Sequence, residues 1–464
     1  MPQAPLRETA LPDLPEEPLG HGLKQRHLTM LGLGGVIGAG LFVGSGGGIA
    51  VAGPGIIVSY LLAGALAMLV MRMLGEMAAA MPASGSFSVH AERAMGRWAG
   101  FSVGWLYWFL LVVVLAVEAT GAAKIANGWA PGVPQWAWVL IFMVVFTVSN
   151  LAAVRNFGEF EFWFAALKVF AIVAFLALGG LAVFGLLPDT DPVGLTNLTG
   201  QGGFLPNGWE GVVSGVLAVI FAFGGLEVVT IAAAESDDPA RSVSRAVRSA
   251  VWRILLFYIG SMAVIVTLLP WDSLEPGQSP YVAVLDSIGI PSAGQIMNIV
   301  VFVALLSALN ANLYGSSRMI FSLAERGEAP KGLLKVSGGG VPRRAVLASV
   351  AFGFVSVVLN LLWPESVFLY MLNAVGAVLL FVWTLIAVSQ LLLRRRIERE
   401  APERLVLKMW AFPYLTWLAL AGMAAVLVLM LFDDSARTQV LWSAGATALV
   451  LLVAWVREIR ARRS

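Results

Sequence analysis

Few residues in this sequence could take part in covalent chemistry. The chain of 464 residues has no cysteine, which excludes disulfide bonds, thiolate nucleophiles and cysteine-ligated metal clusters. Its three histidines, His21, His27 and His90, do not fall in a metal-binding spacing. We therefore expect a protein that is not an enzyme and that has neither a cofactor nor a bound metal.

Three charged residues lie inside long apolar segments, where a charge costs about 2.5–3.5 kcal/mol on insertion scales and is a functional candidate. They are Lys168 in EFWFAALKVFAIVAF, Glu118 in LAVEATGAAK and Glu227 in FAFGGLEVV. Lys168 either extends to the nearest membrane surface, pairs with Glu159 or Glu161, or takes part in ion coupling. Each carboxylate either binds a cationic group, relays a proton or pairs internally.

Two glycine-rich segments interrupt apolar runs. One has nine glycines between residues 32 and 48, and the other is FAFGGLE at 221–227. Glycine weakens a helix interior by about 1 kcal/mol relative to alanine, and interruptions at matching places in two repeats are typical of transporters. The alternative is that these glycines only allow close helix packing. A dinucleotide fingerprint is excluded, because no strict G-x-G-x-x-G occurs.

Backbone groups freed at two such breaks suit a zwitterion. A helix that starts again near Gly38 presents unpaired N–H groups and a positive dipole end to a carboxylate. Carbonyl groups of Phe221 and Ala222 at the second break suit an ammonium. We therefore predict a binding site for an amino acid. Its predicted lining residues are Val36, Ile37, Gly38, Ala39, Gly40, Phe221, Ala222, Phe223, Gly224 and Glu227.

Long apolar runs make up most of the chain and must position these groups. The composition is 59% hydrophobic and only 12% charged. Runs of about 20 residues cross a bilayer as helices, whereas barrel strands are about half as long. We predict an all-α integral membrane protein with about twelve spans. They cover residues 28–50, 55–80, 101–127, 135–153, 161–187, 211–234, 250–270, 294–321, 344–362, 366–392, 408–431 and 438–457.

The predicted organisation has a core of two repeats, residues 28–187 and 211–392, followed by two additional helices within 408–457. We predict that residues 1–27 form a disordered tail, which lacks the basic-then-apolar sequence pattern of a signal peptide. Residues 458–464 are predicted to form a basic tail. With both termini cytoplasmic, only Lys124 and Arg437 among the basic residues fall at external ends, as expected for a multi-pass protein of the cell membrane. The net charge of +2 argues against a nucleic-acid partner. The oligomeric state is open.

The chain resembles bacterial amino acid permeases, in the amino acid transporter branch of the amino acid–polyamine–organocation superfamily. The resemblance rests on GGVIGAGLFVGSG at 34–46, GEM and GSF within 75–87, AGF and GWLYW within 99–108, FAFGGLEVVTIAAAESDDPARSV at 221–243 and SALNANLYGSSRMIFSLAERGEAPK at 307–331. It implies the five-plus-five inverted repeat of the leucine-transporter fold, with helices 1 and 6 broken at the midplane. It also implies proton-coupled amino acid uptake by alternating access.

The resemblance further implies a role for Lys168 in proton coupling, with its ammonium in the place of a sodium ion between helices 1, 5 and 8. Ser307 is expected near that site, and Glu118 is a second candidate for the coupling. An exchanger of amino acids or amines, or a sensor that does not transport, are the alternatives. Separately, Arg72 and Glu76 are spaced i,i+4 and predict a local ion pair.

Overall fold

The computed structural model describes residues 37–81, 86–152, 157–188, 192–227, 239–274, 277–337, 341–432 and 434–463. Within these ranges the regular structure is helical and contains no strand. The predicted tail 1–27 and the predicted site residue Val36 lie outside the described residues. The all-helical architecture is confirmed for the part of the chain that the structure describes.

Seven α-helices make up the described residues up to 188. They are α1 (Ala39–Phe42), α2 (Gly44–Ala52), α3 (Ile56–Ala80), α4 (Ser86–Met95), α5 (Arg97–Trp129), α6 (Gln135–Ala152) and α7 (Phe157–Val183).

Ten more α-helices follow. They are α8 (Thr196–Thr199), α9 (Gly208–Val219), α10 (Pro239–Arg253), α11 (Gly260–Leu268), α12 (Pro280–Ser287), α13 (Ala293–Glu325), α14 (Arg343–Leu362), α15 (Val367–Glu400), α16 (Tyr414–Phe432) and α17 (Asp434–Arg463). A π-helical segment, Ile254–Ile259, joins α10 to α11.

Among the described residues, eight helical stretches are long and apolar enough to cross a membrane. One of them, Ala39–Ala80, runs through parts of the first and second predicted spans. Three shorter apolar helices, Gln135–Leu151, Gly208–Phe223 and Leu255–Leu268, coincide with further predicted spans. The count of twelve and the inverted repeat stay predictions.

The glycine-rich start of the chain forms two short helices. Gly38 has extended backbone angles, φ −149° and ψ −145°, and α1 begins directly after it at Ala39. Val43 then interrupts the helix before α2 begins at Gly44. The N-terminus of α1 is therefore buried among the other helices, because Ala39 is fully buried.

The sixth predicted span is interrupted where its glycines fall. Helix α9 tightens into a 3₁₀ turn, Ile220–Phe223, that ends at Gly224 in an extended conformation. Gly225 follows with φ +90°, a conformation that side chains with a Cβ rarely adopt. The glycine pair thus ends the helix in the interior of the protein, since Phe223 and Glu227 on either side are fully buried.

Helix α5 forms the centre of the bundle. It packs along α13 and also contacts α4, α6 and α15. By contrast, α7 turns large apolar side chains outward, with Trp163 68% and Phe170 71% exposed, while Lys168 on the same helix is fully buried. This distribution is the reverse of that in a water-soluble helix, and an apolar outer face suits lipid.

Arg72 and Glu76 are electrostatic neighbours, as their spacing predicts, but both find their hydrogen-bond partners elsewhere. The Glu76 carboxylate instead accepts hydrogen bonds from Arg394 and Gln390 of α15 and from the backbone of Met409. Arg72 donates to the carbonyl oxygen of Lys408. Long-range packing provided both residues with partners that sequence spacing does not show.

Candidate functional site

The N-terminus of α1 is occupied by a carboxylate of the protein itself. The backbone N–H of Ala39 donates to both oxygens of Glu118, each at 3.1 Å. A Cβ on Gly38 would collide with the same carboxylate, so glycine is required for this close approach. Glu118 therefore binds where the sequence predicted that a substrate carboxylate would bind.

The two interrupted segments lie directly against each other. A Cβ on Gly40 would lie 2.7 Å from the Cα of Ala222 and 2.9 Å from Cδ1 of Phe221. The Cα of Ala222 is a backbone atom, so it could make room for a Cβ on Gly40 only if the second interrupted segment itself moved. The structure thus brings Gly38, Ala39, Gly40, Phe221 and Ala222 together, as expected from the sequence.

One detail of the predicted ammonium site differs. The carbonyl oxygen of Phe221 was expected to be free, but it accepts a hydrogen bond of 2.9 Å from the N–H of Gly224. The 3₁₀ turn provides this partner, because its bonds join residues three apart. A carbonyl oxygen has a second lone pair, so Phe221 can still accept from a ligand.

Lys168 lies in a buried cluster with one acid and one alcohol. Its Nζ is 3.9 Å from Oε1 of Glu161, and both side chains are buried. The hydroxyl of Ser307 on α13 lies 3.1 and 2.9 Å from the two oxygens of the same carboxylate. Lys168 is thus paired within the bundle and does not extend to its surface.

Electrostatic proximity links this cluster to the break. Glu118 is a charged neighbour of Lys168 in addition to Glu161. A Cβ on Gly38 would lie 3.1 Å from the Cβ of Ala308, which follows Ser307 on α13. Lys168 is therefore an electrostatic neighbour of two carboxylates, one of which, that of Glu118, binds at the start of α1.

Glu227 is hydrogen-bonded directly after the second break. One oxygen of its carboxylate accepts from the indole N–H of Trp383 on α15, and the other from the N–H of Gly225 at 2.8 Å. The side chain is fully buried. This arrangement ties the end of the break to α15.

Two of the remaining predicted lining residues, Phe223 and Gly224, contact elements other than α1. Phe223 packs against Tyr258 with ring centroids 5.1 Å apart and against Tyr60 at 5.9 Å, on the side of π-helical segment 254–259. Gly224 adjoins Leu379 of α15. Ile37 is fully buried.

Sequence reasoning singled out Glu161 only as a pairing candidate, and it missed Trp383. Glu161 lies seven residues from Lys168, which is two helical turns, so both fall on one face of α7. The pairing of Lys168 with Glu161, one of the predicted alternatives, is confirmed. Trp383 lies 156 residues from Glu227 and had no such signal.

Buried charges among apolar helices and two adjoining interruptions define a membrane protein with an internal polar site. A model of the amino acid permease family matches residues 27–459. The chain belongs to this family.

Relatives named as permeases or transport proteins support the assignment. The γ-aminobutyric acid permease of Bacillus subtilis (strain 168) is 51% identical over 93% of this chain and 92% of its own length. The aromatic amino acid transport protein AroP of Corynebacterium glutamicum is 49% identical over 95% of this chain and 96% of its own. The γ-aminobutyric acid permease of Escherichia coli (strain K12) is 46% identical over 94% and 93%, respectively.

Proposed function

We propose that this protein carries amino acids together with protons across the cell membrane by alternating access, with both termini cytoplasmic. The observation that carries the proposal is the contact between the Glu118 carboxylate and the N–H of Ala39. It supports an anion-binding role for the start of α1, because an acceptor already binds there. The substrate carboxylate takes the same place.

Competition for this place provides the coupling. A charged carboxylate binds an amide N–H more strongly than a protonated one does, because charge-assisted hydrogen bonds are about twice as strong as neutral ones. Protonation of Glu118 therefore releases Ala39 for the substrate. Proton and substrate then favour each other's binding, which is the thermodynamic requirement for symport.

Lys168 provides the second part of the mechanism. While Glu118 is charged it interacts with the Lys168 ammonium as well as with Ala39, and its protonation removes both interactions. When Glu118 is protonated, the Glu161 carboxylate, oriented by the Ser307 hydroxyl, still balances the charge of Lys168. A lysine that exchanges partners in this way responds both to the proton and to the movement of α1.

The substrate class follows from the chemistry of the break and from the relatives. γ-Aminobutyrate and aromatic amino acids, named for the relatives above, share a carboxylate and an ammonium at different separations. The start of α1 serves the carboxylate of either. We propose an amino acid of one of these two classes as the substrate.

Uptake of radiolabelled γ-aminobutyrate and phenylalanine into proteoliposomes tests this function. An inward proton gradient should drive accumulation, a protonophore should abolish it, and a sodium gradient alone should have no effect. A panel of unlabelled amino acids then identifies the substrate. Uptake that requires a preloaded counter-substrate would instead show an exchanger, and binding without flux would show a sensor.

Two variants separate the role of Lys168 in coupling from its role in folding. Lys168→Ala leaves the Glu161 charge buried, and breaking a buried pair costs about 3–5 kcal/mol. The double variant Lys168→Met/Glu161→Gln removes both charges and should fold. We expect it to retain substrate binding and counterflow but to lose proton-driven accumulation. Normal accumulation by the double variant would exclude Lys168 from the coupling.

A further inference from the structure

Arg253, the last residue of α10, is buried to 2% exposure. Among the described residues, no hydrogen-bond acceptor is placed for its Nε, Nη1 or Nη2. A buried charge without a partner costs several kcal/mol even after relaxation. An anionic partner for Arg253 is therefore required.

The π-helical segment explains why the guanidinium lies inside. Trp252, Leu255 and Leu256 are 68%, 42% and 53% exposed, whereas Arg253 and Tyr258 are buried. In an α-helix, residues five apart differ by about 140° in direction. The wider π turn between them, Ile254–Ile259, brings both side chains to the inner face, and such segments occur frequently at functional sites.

Two tyrosines extend this group of unpaired polar atoms, Tyr258 beside Arg253 and Tyr60 beside Tyr258. Tyr258 is the titratable neighbour of Arg253, and its ring centroid lies 6.2 Å from that of Tyr60 on α3. Neither phenol hydroxyl has a hydrogen-bond partner among the described residues. Both side chains are at most 1% exposed. The guanidinium can only donate, and each phenol hydroxyl can donate as well as accept, so one enclosed anion would satisfy all three side chains.

We propose that Arg253, Tyr258 and Tyr60 bind a small monovalent inorganic anion of the chloride class. One negative charge balances the one guanidinium. The surroundings are aromatic, since Phe223 stacks on Tyr258, and a weakly hydrated halide loses less on entering such a site than a carboxylate or phosphate does. Gly40 approaches Phe221 and Ala222, whereas the anion site is formed by Arg253, Tyr258 and Tyr60.

This position has a consequence for the break. Phe223 ends the 3₁₀ turn and packs against both tyrosines. An anion that binds the two hydroxyls and the guanidinium together stabilises the two tyrosine rings against which Phe223 packs. Anion binding should therefore raise the stability of the purified protein, independently of whether it transports.

Thermal unfolding of the purified full chain tests the proposal, with sodium chloride replaced stepwise by sodium gluconate at constant ionic strength. We expect the unfolding temperature to rise with chloride and to saturate. Arg253→Gln should abolish the response, while Arg248→Gln, at an exposed position on the same helix, should retain it. An unfolding temperature that is the same in chloride and gluconate would overturn the proposal, since a carboxylate of this chain then serves as the partner.

A second pair of variants covers the case in which Arg253→Gln does not fold. Tyr258→Phe and Tyr60→Phe each remove one hydroxyl and leave the aromatic packing intact. We expect each to raise the chloride concentration at half-saturation by about tenfold, which corresponds to about 1.4 kcal/mol. Half-saturation at the wild-type concentration in both variants would contradict the assigned site.

Discussion

Both carboxylate oxygens of Glu118 lie 3.1 Å from the amide nitrogen of Ala39, so that a side chain of α5 occupies the N-terminus of α1. The residues are 79 positions apart in the chain. A helix N-terminus attracts anions through its free N–H groups and its dipole. Substrate and Glu118 therefore compete for one place, and this competition is the basis of the first prediction.

Glu118→Gln should make substrate affinity independent of pH. The wild-type carboxylate competes best when it is charged, so wild-type affinity should rise as the pH falls. The neutral amide of glutamine competes weakly at every pH, and we expect about tenfold tighter binding near neutrality, or about 1.4 kcal/mol. Equilibrium binding of labelled substrate across a pH series measures both effects. An unchanged pH dependence in the variant would assign proton binding to another group.

Gly40→Val should abolish substrate binding and lower stability. The added Cβ would lie 2.7 Å from the Cα of Ala222, so the two interrupted segments must separate. Overpacking of this kind costs about 1–3 kcal/mol. Gly47→Val on α2 is the matched control, because a Cβ there would meet only Leu369, at 3.8 Å. Binding assays and thermal unfolding of both variants distinguish the local collision from a general effect of replacing glycine.

Arg394→Met should destabilise the protein more than Arg396→Met. Arg394 is 8% exposed in its side chain and pairs with the buried Glu76, so its removal leaves an uncompensated carboxylate at a cost of about 3–5 kcal/mol. Arg396 pairs with Glu400 on the exposed side, at 55% and 60% exposure. Such a pair contributes about 0–1 kcal/mol. Equal unfolding temperatures for the two variants would show that the Glu76 network does not support the fold.

Acid should destabilise the protein through His90, which lies on α4 outside the candidate spans. Burial lowers the pKa of His90 from 6.5 to about 4, while its Nε2 lies 2.9 Å from the Met81 carbonyl oxygen. Between these two values the unfolded chain binds a proton that the folded protein does not. Stability therefore falls as the pH drops from 6.5 towards 4, by roughly 3 kcal/mol at 1.36 kcal/mol per pKa unit.

His90→Gln is the variant that isolates this effect. Glutamine keeps an amide donor for the Met81 carbonyl oxygen and does not titrate, so its stability curve should be flatter across the same interval. The measurement is thermal unfolding in matched buffers, with wild type and variant compared at each pH. Parallel curves for the two proteins would assign the acid sensitivity to carboxylates elsewhere.

Local glycine clusters predicted where helices are interrupted. The end of the helix at Gly224 follows from how poorly glycine supports a helix, and the close approach of Gly40 to Ala222 requires a residue without a Cβ. The partner of each buried charge was harder to predict. Lys168 and Glu161 share a helix and could be paired by spacing, but Glu227 with Trp383 and Glu76 with Arg394 join distant helices.

The order of apolar runs determined that this chain is helical and suited to a membrane, since hydrocarbon tolerates only backbone that is hydrogen-bonded within its own segment. Residue type likewise determined where helices are interrupted. Tertiary structure alone decided that Glu118 binds at Ala39 and that Glu227 accepts a hydrogen bond from Trp383. Those outcomes depend on how helices lie against each other, and side chains far apart in sequence meet only through that packing.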